Sequence, residues 1–253
     1  MRRLLVPFLP LLALACASAP KAEFQEVRRF HPGSDQLQLV YSRWLQADGS
    51  FVKDGDTQAW YEDGTPRLKT RYVMDKPDGP WSEWFANGQV MVSGNYAMGV
   101  KAGEWCKWND EGKLIERSHW SDGRLDGDFQ CFDDDGMPLM AGLFVRGERE
   151  GEWTCWYSNG EPRLRGRYAD DRPVGRWTSW FENGKRQGEG SYDGGIRDGI
   201  WVSYNDSGDI VDSAKYSVDA PLTRAAIVAT LHGAIGTDPM DFAGIVDSLL
   251  ARN

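Results

Sequence analysis

The chain has 253 residues, of which 41% are hydrophobic, 26% are charged and 12% are aromatic. Its formal net charge of −9 argues against nucleic acid and anionic lipid headgroups as partners, because phosphates attract basic protein surfaces. Its 12 tryptophans bring large apolar areas that the fold must bury.

Residues 1–15 have the pattern of a signal peptide, in which two arginines precede an apolar stretch too short to span a bilayer. The following junction, Ala13-Leu14-Ala15-Cys16, resembles the lipobox of bacterial lipoproteins, whose cysteine thiol is acylated. This resemblance implies a bacterial envelope protein anchored through Cys16, on the outer membrane or on the periplasmic face of a membrane. Ordinary secretion, with cleavage after Ala17 or Ala19, is the alternative.

Two short segments separate this junction from the main body of the chain. Residues 16–36 predict a polar tether. Residues 37–54 predict a degenerate entry hairpin, because a strand-like run that contains Trp44 leads into Asp48-Gly49, a typical hairpin turn.

From residue 55 the sequence repeats every 24 residues without an insertion. A glycine opens each of seven copies, and a second glycine follows nine residues later. The opening glycines are Gly55, Gly79, Gly103, Gly127, Gly151, Gly175 and Gly199. Seven copies in register predict a repeat array over residues 55–218, an architecture that displays surfaces more readily than it builds catalytic centres.

Three columns of mostly aromatic residues follow the opening glycines. The first column, two residues after the glycine, comprises Thr57, Trp81, Trp105, Phe129, Trp153, Trp177 and Trp201. The second column, five residues after the glycine, comprises Trp60, Trp84, Trp108, Phe132, Trp156, Trp180 and Tyr204. The third column, seventeen residues after the glycine, comprises Tyr72, Tyr96, Trp120, Phe144, Tyr168, Tyr192 and Tyr216.

Each copy predicts a β-hairpin. The first strand ends in a turn such as Asn159-Gly160, a pair in which both residues can adopt positive φ. The return strand leads to a second turn, where Asp75 and Asp171 replace glycine in two copies, because Asp tolerates left-handed angles. Two strands per copy predict an all-β antiparallel ribbon of about 14 strands, on the order of 65 Å long.

The first and second columns lie three residues apart, so their side chains point to opposite faces of an extended strand. We expect the first column to fill the core between hairpins and the second column to be the more exposed of the two.

The run from Gly142 to Trp153, GLFVRGEREGEW, resembles the membrane-occupation-and-recognition-nexus (MORN) repeat. In that repeat an aromatic residue is followed by a glycine three residues later, a glycine four residues beyond, and an aromatic residue or glycine two further on. The tryptophan-rich first strand and the spacing are similar to the bacterial MORN variant over residues 55–218. The resemblance implies a hairpin ribbon with a bridging or scaffold function. Bacterial members are often labelled antitoxin-like, which implies an immunity-type function as an alternative.

The pattern Gly-x-Trp-x-x-Trp-Tyr-x-Asn-Gly also resembles choline- and glucan-binding wall repeats, in which aromatic cages hold cations or sugar faces. This second resemblance implies cell-wall or glycan binding as a further alternative.

Beyond Tyr216 the apolar period changes from strand to helix. Residues 219–253 predict a short two-helix cap, in which Asp219 and Asp238 begin the helices and Gly236 separates them. Such a cap would cover the last edge of the ribbon, because open sheet edges need cover.

The sequence predicts no enzyme, no metal site and no cofactor. The three histidines, His31, His119 and His232, belong to separate segments, and no nucleophile elbow or phosphate loop is present. Cys131 and Cys155 occupy the same position in neighbouring copies, roughly 9–10 Å apart, which is too far for a disulfide. We therefore expect buried free thiols.

The combined prediction is a non-catalytic envelope lipoprotein that acts as a protein-binding scaffold. Its membrane contact is through acyl chains on Cys16, and its partner is another envelope protein. The predicted binding residues are Trp60, Trp84, Trp108, Trp156, Trp180 and Tyr204.

Overall fold

The computed structural model describes residues 23–217. The predicted signal peptide (1–15), Cys16 and the predicted helical cap (219–253) lie outside the described residues. All regular elements in residues 23–217 are β-strands. None of these residues belongs to a helix with the length and apolarity that a membrane span requires.

Seventeen strands form one antiparallel sheet, in which consecutive strands are neighbours and the short β5 and β6 share β4 as their partner. The strands are β1 (Glu23–Phe30), β2 (Leu37–Leu45), β3 (Phe51–Trp60), β4 (Pro66–Val73), β5 (Lys76–Pro77), β6 (Gly79–Trp84), β7 (Val90–Ala97), β8 (Val100–Trp108), β9 (Leu114–Ser121), β10 (Arg124–Phe132), β11 (Pro138–Val145), β12 (Glu148–Trp156), β13 (Pro162–Ala169), β14 (Arg172–Trp180), β15 (Arg186–Asp193), β16 (Ile196–Tyr204) and β17 (Ile210–Tyr216).

The N-terminal part differs from the prediction in two ways. Glu23–Phe30, inside the predicted tether 16–36, forms strand β1, which pairs with β2 along its whole length. The predicted boundary between residues 54 and 55 falls inside β3, because Gly55 occupies a bulge (φ +111°) and does not end a strand. The fourteen strands predicted for the seven copies are therefore present, β2 lies within the predicted entry hairpin 37–54, and β1 and the two-residue β5 are additional.

Two kinds of turn alternate along the sheet. The turns between copies are two-residue turns in which both residues have positive φ, as in Arg146 (52°) and Gly147 (93°). Asp171 also adopts a positive φ (63°), as predicted. The turns within copies are three-residue loops in which only the glycine has positive φ, for example Gly160 (83°). In the same loop the Asn159 side chain accepts a hydrogen bond from the Glu161 backbone amide. The hairpin prediction is confirmed; of the two residues in Asn159-Gly160 that can adopt positive φ, only the glycine does so.

The core is a series of interleaved aromatic rings on one face of the sheet. Trp177 is fully buried, and its indole lies against Gly166 of the preceding copy so closely that a Cβ there would stand 1.9 Å from the ring. Rings of the third column fill the spaces edge-on, as Tyr168 does between Trp153 and Trp177. This core runs from Phe129 to Trp201.

A row of cations crosses this aromatic face in every second copy. The position two residues before the opening glycine holds a cation in alternate copies and Pro or Leu in the others: Lys53, Pro77, Lys101, Leu125, Arg149, Pro173 and Arg197. Each cation lies over aromatic rings; the Lys101 Nζ, for example, is 4.4 and 4.5 Å from the ring centroids of Trp105 and Trp120. Burial lowers the pKa of both lysines. The row therefore binds copies together through cation–π contacts.

Candidate binding surface

The sheet has two chemically different faces. In β12, Trp153 and Trp156 lie three positions apart on one strand, so they point to opposite faces; the register shift between Cys155 and Trp156 leaves out Arg163 of the partner strand β13. We call the face that carries the first and third columns the inner face. The face that carries the second column is the outer face.

All six predicted binding residues are half-buried on the outer face. By contrast, five aromatic members of the first column are buried, with exposed fractions between 0 and 4%. The second column is therefore the more exposed, as predicted. In the described part of the chain, the rings of Trp60, Trp84, Trp108, Trp156 and Trp180 make no ring–ring contact.

Hydrogen bonds between neighbouring copies hold the backbone of this column in place. The Tyr61 hydroxyl donates to the Trp84 carbonyl, and the Tyr157 hydroxyl donates to the Trp180 carbonyl, both at 2.8 Å. The adjoining loops are tied in the same way, since the Asn159 amide donates to the Glu182 carbonyl at 2.9 Å. The tryptophans are thus presented from a supported backbone.

Charged groups of both signs flank the second column. On the outer face, Glu189 accepts hydrogen bonds from Arg176 and from the Tyr204 hydroxyl, and Arg186 lies 3.3 Å away. Burial alone would raise the pKa of the Glu189 carboxyl, because it disfavours the charged form. The hydrogen bonds from Arg176 and Tyr204 and the charges of Arg176 and Arg186 have the larger, opposite effect, so the pKa of this carboxyl lies below its usual value. Glu152 and Arg165 form a longer pair at 3.7 Å.

A shallow groove crosses the outer face at the N-terminal end of the sheet. Trp60 forms one wall, and Phe24, whose ring packs edge-on against Trp44, forms another. Between these walls Asp56 and Arg71 pair across the strands without an ion pair between their side chains. Sequence reasoning missed this groove because it placed Phe24 in a tether.

The described residues offer little reactive chemistry. Within residues 23–217, no group of three His, Cys, Asp or Glu side chains is placed to hold a metal ion. Cys106, Cys131 and Cys155 are buried thiols that form no disulfide, as predicted. Burial raises the pKa of Cys155 to about 12, so this thiol is a poor nucleophile at neutral pH.

Comparison with known families agrees with this architecture. Residues 77–97, 149–170 and 173–193 match the model of the MORN repeat variant. Three of the hairpins are therefore similar to MORN repeats. The matched segments coincide with β5–β7, β12–β13 and β14–β15, so each MORN-like segment spans one hairpin. No curated protein matches the chain.

Proposed function

We propose that this protein is a non-catalytic scaffold of the bacterial cell envelope that docks another envelope protein on its second column. The MORN-like hairpins support a repeat-based binding scaffold. The observation that carries the finer proposal is the row of half-buried tryptophans on the outer face, which have no aromatic partner of their own in residues 23–217.

Half-buried tryptophan is well suited to protein recognition. Trp is enriched among the residues that dominate binding energy, because it buries a large area with little loss of side-chain freedom. Ion pairs beside the column, such as Glu152 with Arg165, provide a polar rim.

The spacing of the column favours a long partner. Equivalent residues are separated by two strands, roughly 9–10 Å. A partner that contacts several of these rings must therefore extend along the sheet. A protein segment meets this requirement, whereas a small ligand reaches one or two rings.

The docking test replaces Trp108 or Trp156 by a photo-crosslinking amino acid in living cells. We expect one crosslinked envelope protein, and we expect the crosslink at position 108 to weaken in the Trp156→Ala background. Phe30, an exposed aromatic residue of β1, provides the matched control position and should give no such product. Equal crosslinking from positions 30 and 156 would contradict the proposed surface.

The proposed location, anchored to a membrane of the cell envelope, rests on the Ala13-Leu14-Ala15-Cys16 junction. A Cys16→Ser variant should lose acyl labelling and leave the membrane fraction, because acyl chains supply the membrane affinity. Unchanged membrane partitioning of that variant would contradict the anchor and would leave the docking surface untouched.

The N-terminal groove favours glycan binding as a second candidate function. It combines the flat ring of Trp60 with the hydrogen-bonding side chains of Asp56, Gln58 and Arg71. A sugar offers an apolar face for the ring and hydroxyls for the polar groups. Binding to purified peptidoglycan that is lost in Trp60→Ala and retained in Trp180→Ala would support this function; no binding by the unaltered chain would reject it.

A further inference from the structure

In the last hairpin, β16–β17, the outer face of β16 carries apolar residues that the other copies lack, while β17 places Lys215 and Ser213 opposite two of them. One residue after the opening glycine, six copies place a charged residue or proline on this face, and the seventh places Ile200. The residues at this position are Asp56, Pro80, Glu104, Asp128, Glu152, Arg176 and Ile200. Two residues further on, the earlier copies have Gln, Ser, Cys or Thr, whereas the last has Val202.

These apolar side chains form one patch. Ile200, Val202 and Tyr204 alternate along β16 and so share the outer face, and Ile210 pairs directly with Tyr204 from β17. We call these four residues the terminal patch. Ile200 and Ile210 are each 65% exposed. The patch therefore leaves apolar side chains uncovered within residues 23–217.

The patch adjoins an open sheet edge. Among the described strands, β17 pairs only with β16, so its other side offers unpaired backbone groups. Val211, 61% exposed, lies on this edge strand. Proteins normally cover or charge such edges, because an exposed apolar edge invites pairing with other chains.

The chain leaves the described part of the structure beside this patch. Tyr216 pairs with Gly199, the residue before Ile200, so residue 218 starts within a few residues of the terminal patch. The following segment, 218–253, carries apolar residues at helical spacing in two stretches. They are Leu222, Ala225, Ala226 and Ala229, then Phe242, Ile245, Val246 and Leu249.

We propose that residues 218–253 dock their apolar residues on the terminal patch of the same chain. Because the segment is covalently joined next to the patch, its effective concentration there exceeds that of any separate chain. Docking covers Ile200 and Ile210 and shields the edge of β17. It also places the segment next to Tyr204, the last residue of the second column.

Hydrogen exchange of the full-length chain in detergent tests the proposal. We expect protected amides in residues 218–253, and we expect Ile200→Lys with Ile210→Lys to speed their exchange by about tenfold or more. Charged residues occupy the Ile200 position in five other copies, so this variant keeps the ribbon folded. Val100→Lys, at an exposed valine of β8 far along the sheet, is the matched control and should change nothing in 218–253.

A second variant tests the same contact from the segment itself. Phe242→Lys should speed exchange in β17 while β8 to β15 keep their protection. Rapid exchange of 218–253 in the unaltered chain, or protection that survives both variants, would overturn the proposal. Protection that falls on tenfold dilution would also overturn it, because a second copy would then be the occupant.

Discussion

The indole of Trp153 lies against Gly142 of the preceding copy, where a Cβ would stand 2.1 Å from the indole Cδ2. The same contact joins Trp105 to Gly94, Trp177 to Gly166 and Trp201 to Gly190. Where Ser118 replaces this glycine, the opposing ring is the smaller Phe129. In these five pairs the size of the ring therefore matches the residue that faces it. The exception is the first copy, where Thr70 stands at the glycine position and the opposing Trp81 is only half-buried.

This matching predicts a specific rescue. Gly142→Ser should destabilise the fold by about 1–3 kcal/mol, because the added atoms overpack the indole. In a Trp153→Phe background the same change should cost less, since it recreates the Ser118 and Phe129 pair. Urea unfolding of the four chains gives the coupling energy. Purely additive costs would show that the contact does not set the residue choice.

Trp153 and Trp156 should respond differently to truncation. Trp153→Ala removes a ring that is 1% exposed and should cost about 3–5 kcal/mol. Trp156→Ala removes a half-buried ring and should cost less than about 2 kcal/mol while reducing capture of the partner. Thermal unfolding and the crosslinking yield measure the two effects. Equal destabilisation would mean that both columns are core.

The buried indoles also differ in hydrogen bonding. The Trp177 Nε1 donates to the Arg167 carbonyl at 3.2 Å, whereas the Trp153 Nε1 is buried without an acceptor. Trp177→Phe loses a hydrogen bond and should cost about 1 kcal/mol more than Trp153→Phe. The two variants remove the same atoms from equivalent sites, so each is the control for the other. A larger cost for Trp153→Phe would contradict this reading.

Cys155 should make stability fall in alkaline solution. The unfolded thiol ionises near its ordinary pKa of 9.0, but the folded thiol ionises only at about 12 because of burial. Between these values the unfolded state loses a proton that the folded state keeps, so stability falls by up to about 1.4 kcal/mol per pH unit. Cys155→Ala should flatten this decline in urea unfolding at pH 8 to 11. An unchanged slope would assign the loss to other groups.

Deletions test whether the copies are interchangeable. Removing the 24 residues from Gly127 to Glu150 should leave a shorter folded sheet, because the flanking copies still pair in register. Removing only 128–150, which is one residue fewer, reverses the inward and outward alternation and should prevent folding. Circular dichroism and size exclusion distinguish the outcomes. Equal folding of both deletions would contradict a register-controlled array.

The sequence predicted the hairpins because a glycine recurs at each turn position that requires positive φ, as at Gly160. It could not predict the two-residue turn at Arg146, a residue with no preference for positive φ, because pairing of β11 with β12 imposes that conformation. It also missed β1, whose charged sequence becomes a strand only because β2 offers it an edge.

Because side chains alternate between the two faces of a strand, the sequence placed the first and second columns on opposite faces of the sheet. This alternation alone did not show which column is buried. The deciding signal was the glycine fifteen residues after the opening glycine, as at Gly142, which makes room for a ring on the inner face only. The N-terminal groove could not be inferred, because it is lined by Phe24 of β1 and Arg71 of β4, and only the pairing of the two strands between them brings these side chains to one groove.

The alternating cations set a counting rule for the length of the array. Arg149 and Arg197 lie four strands apart, roughly 19 Å, which is about twice the screening length at physiological salt. A cation in every copy would halve that distance on a partly buried face and bring like charges into conflict. Duplication of a single cation-bearing copy would therefore set two like charges side by side, whereas loss of one, as in the deletion from Gly127 to Glu150, leaves the neutral Leu125 and Pro173 as neighbours. Viable duplications that include a cation-bearing copy should therefore come in units of 48 residues, twice the period that the glycines display.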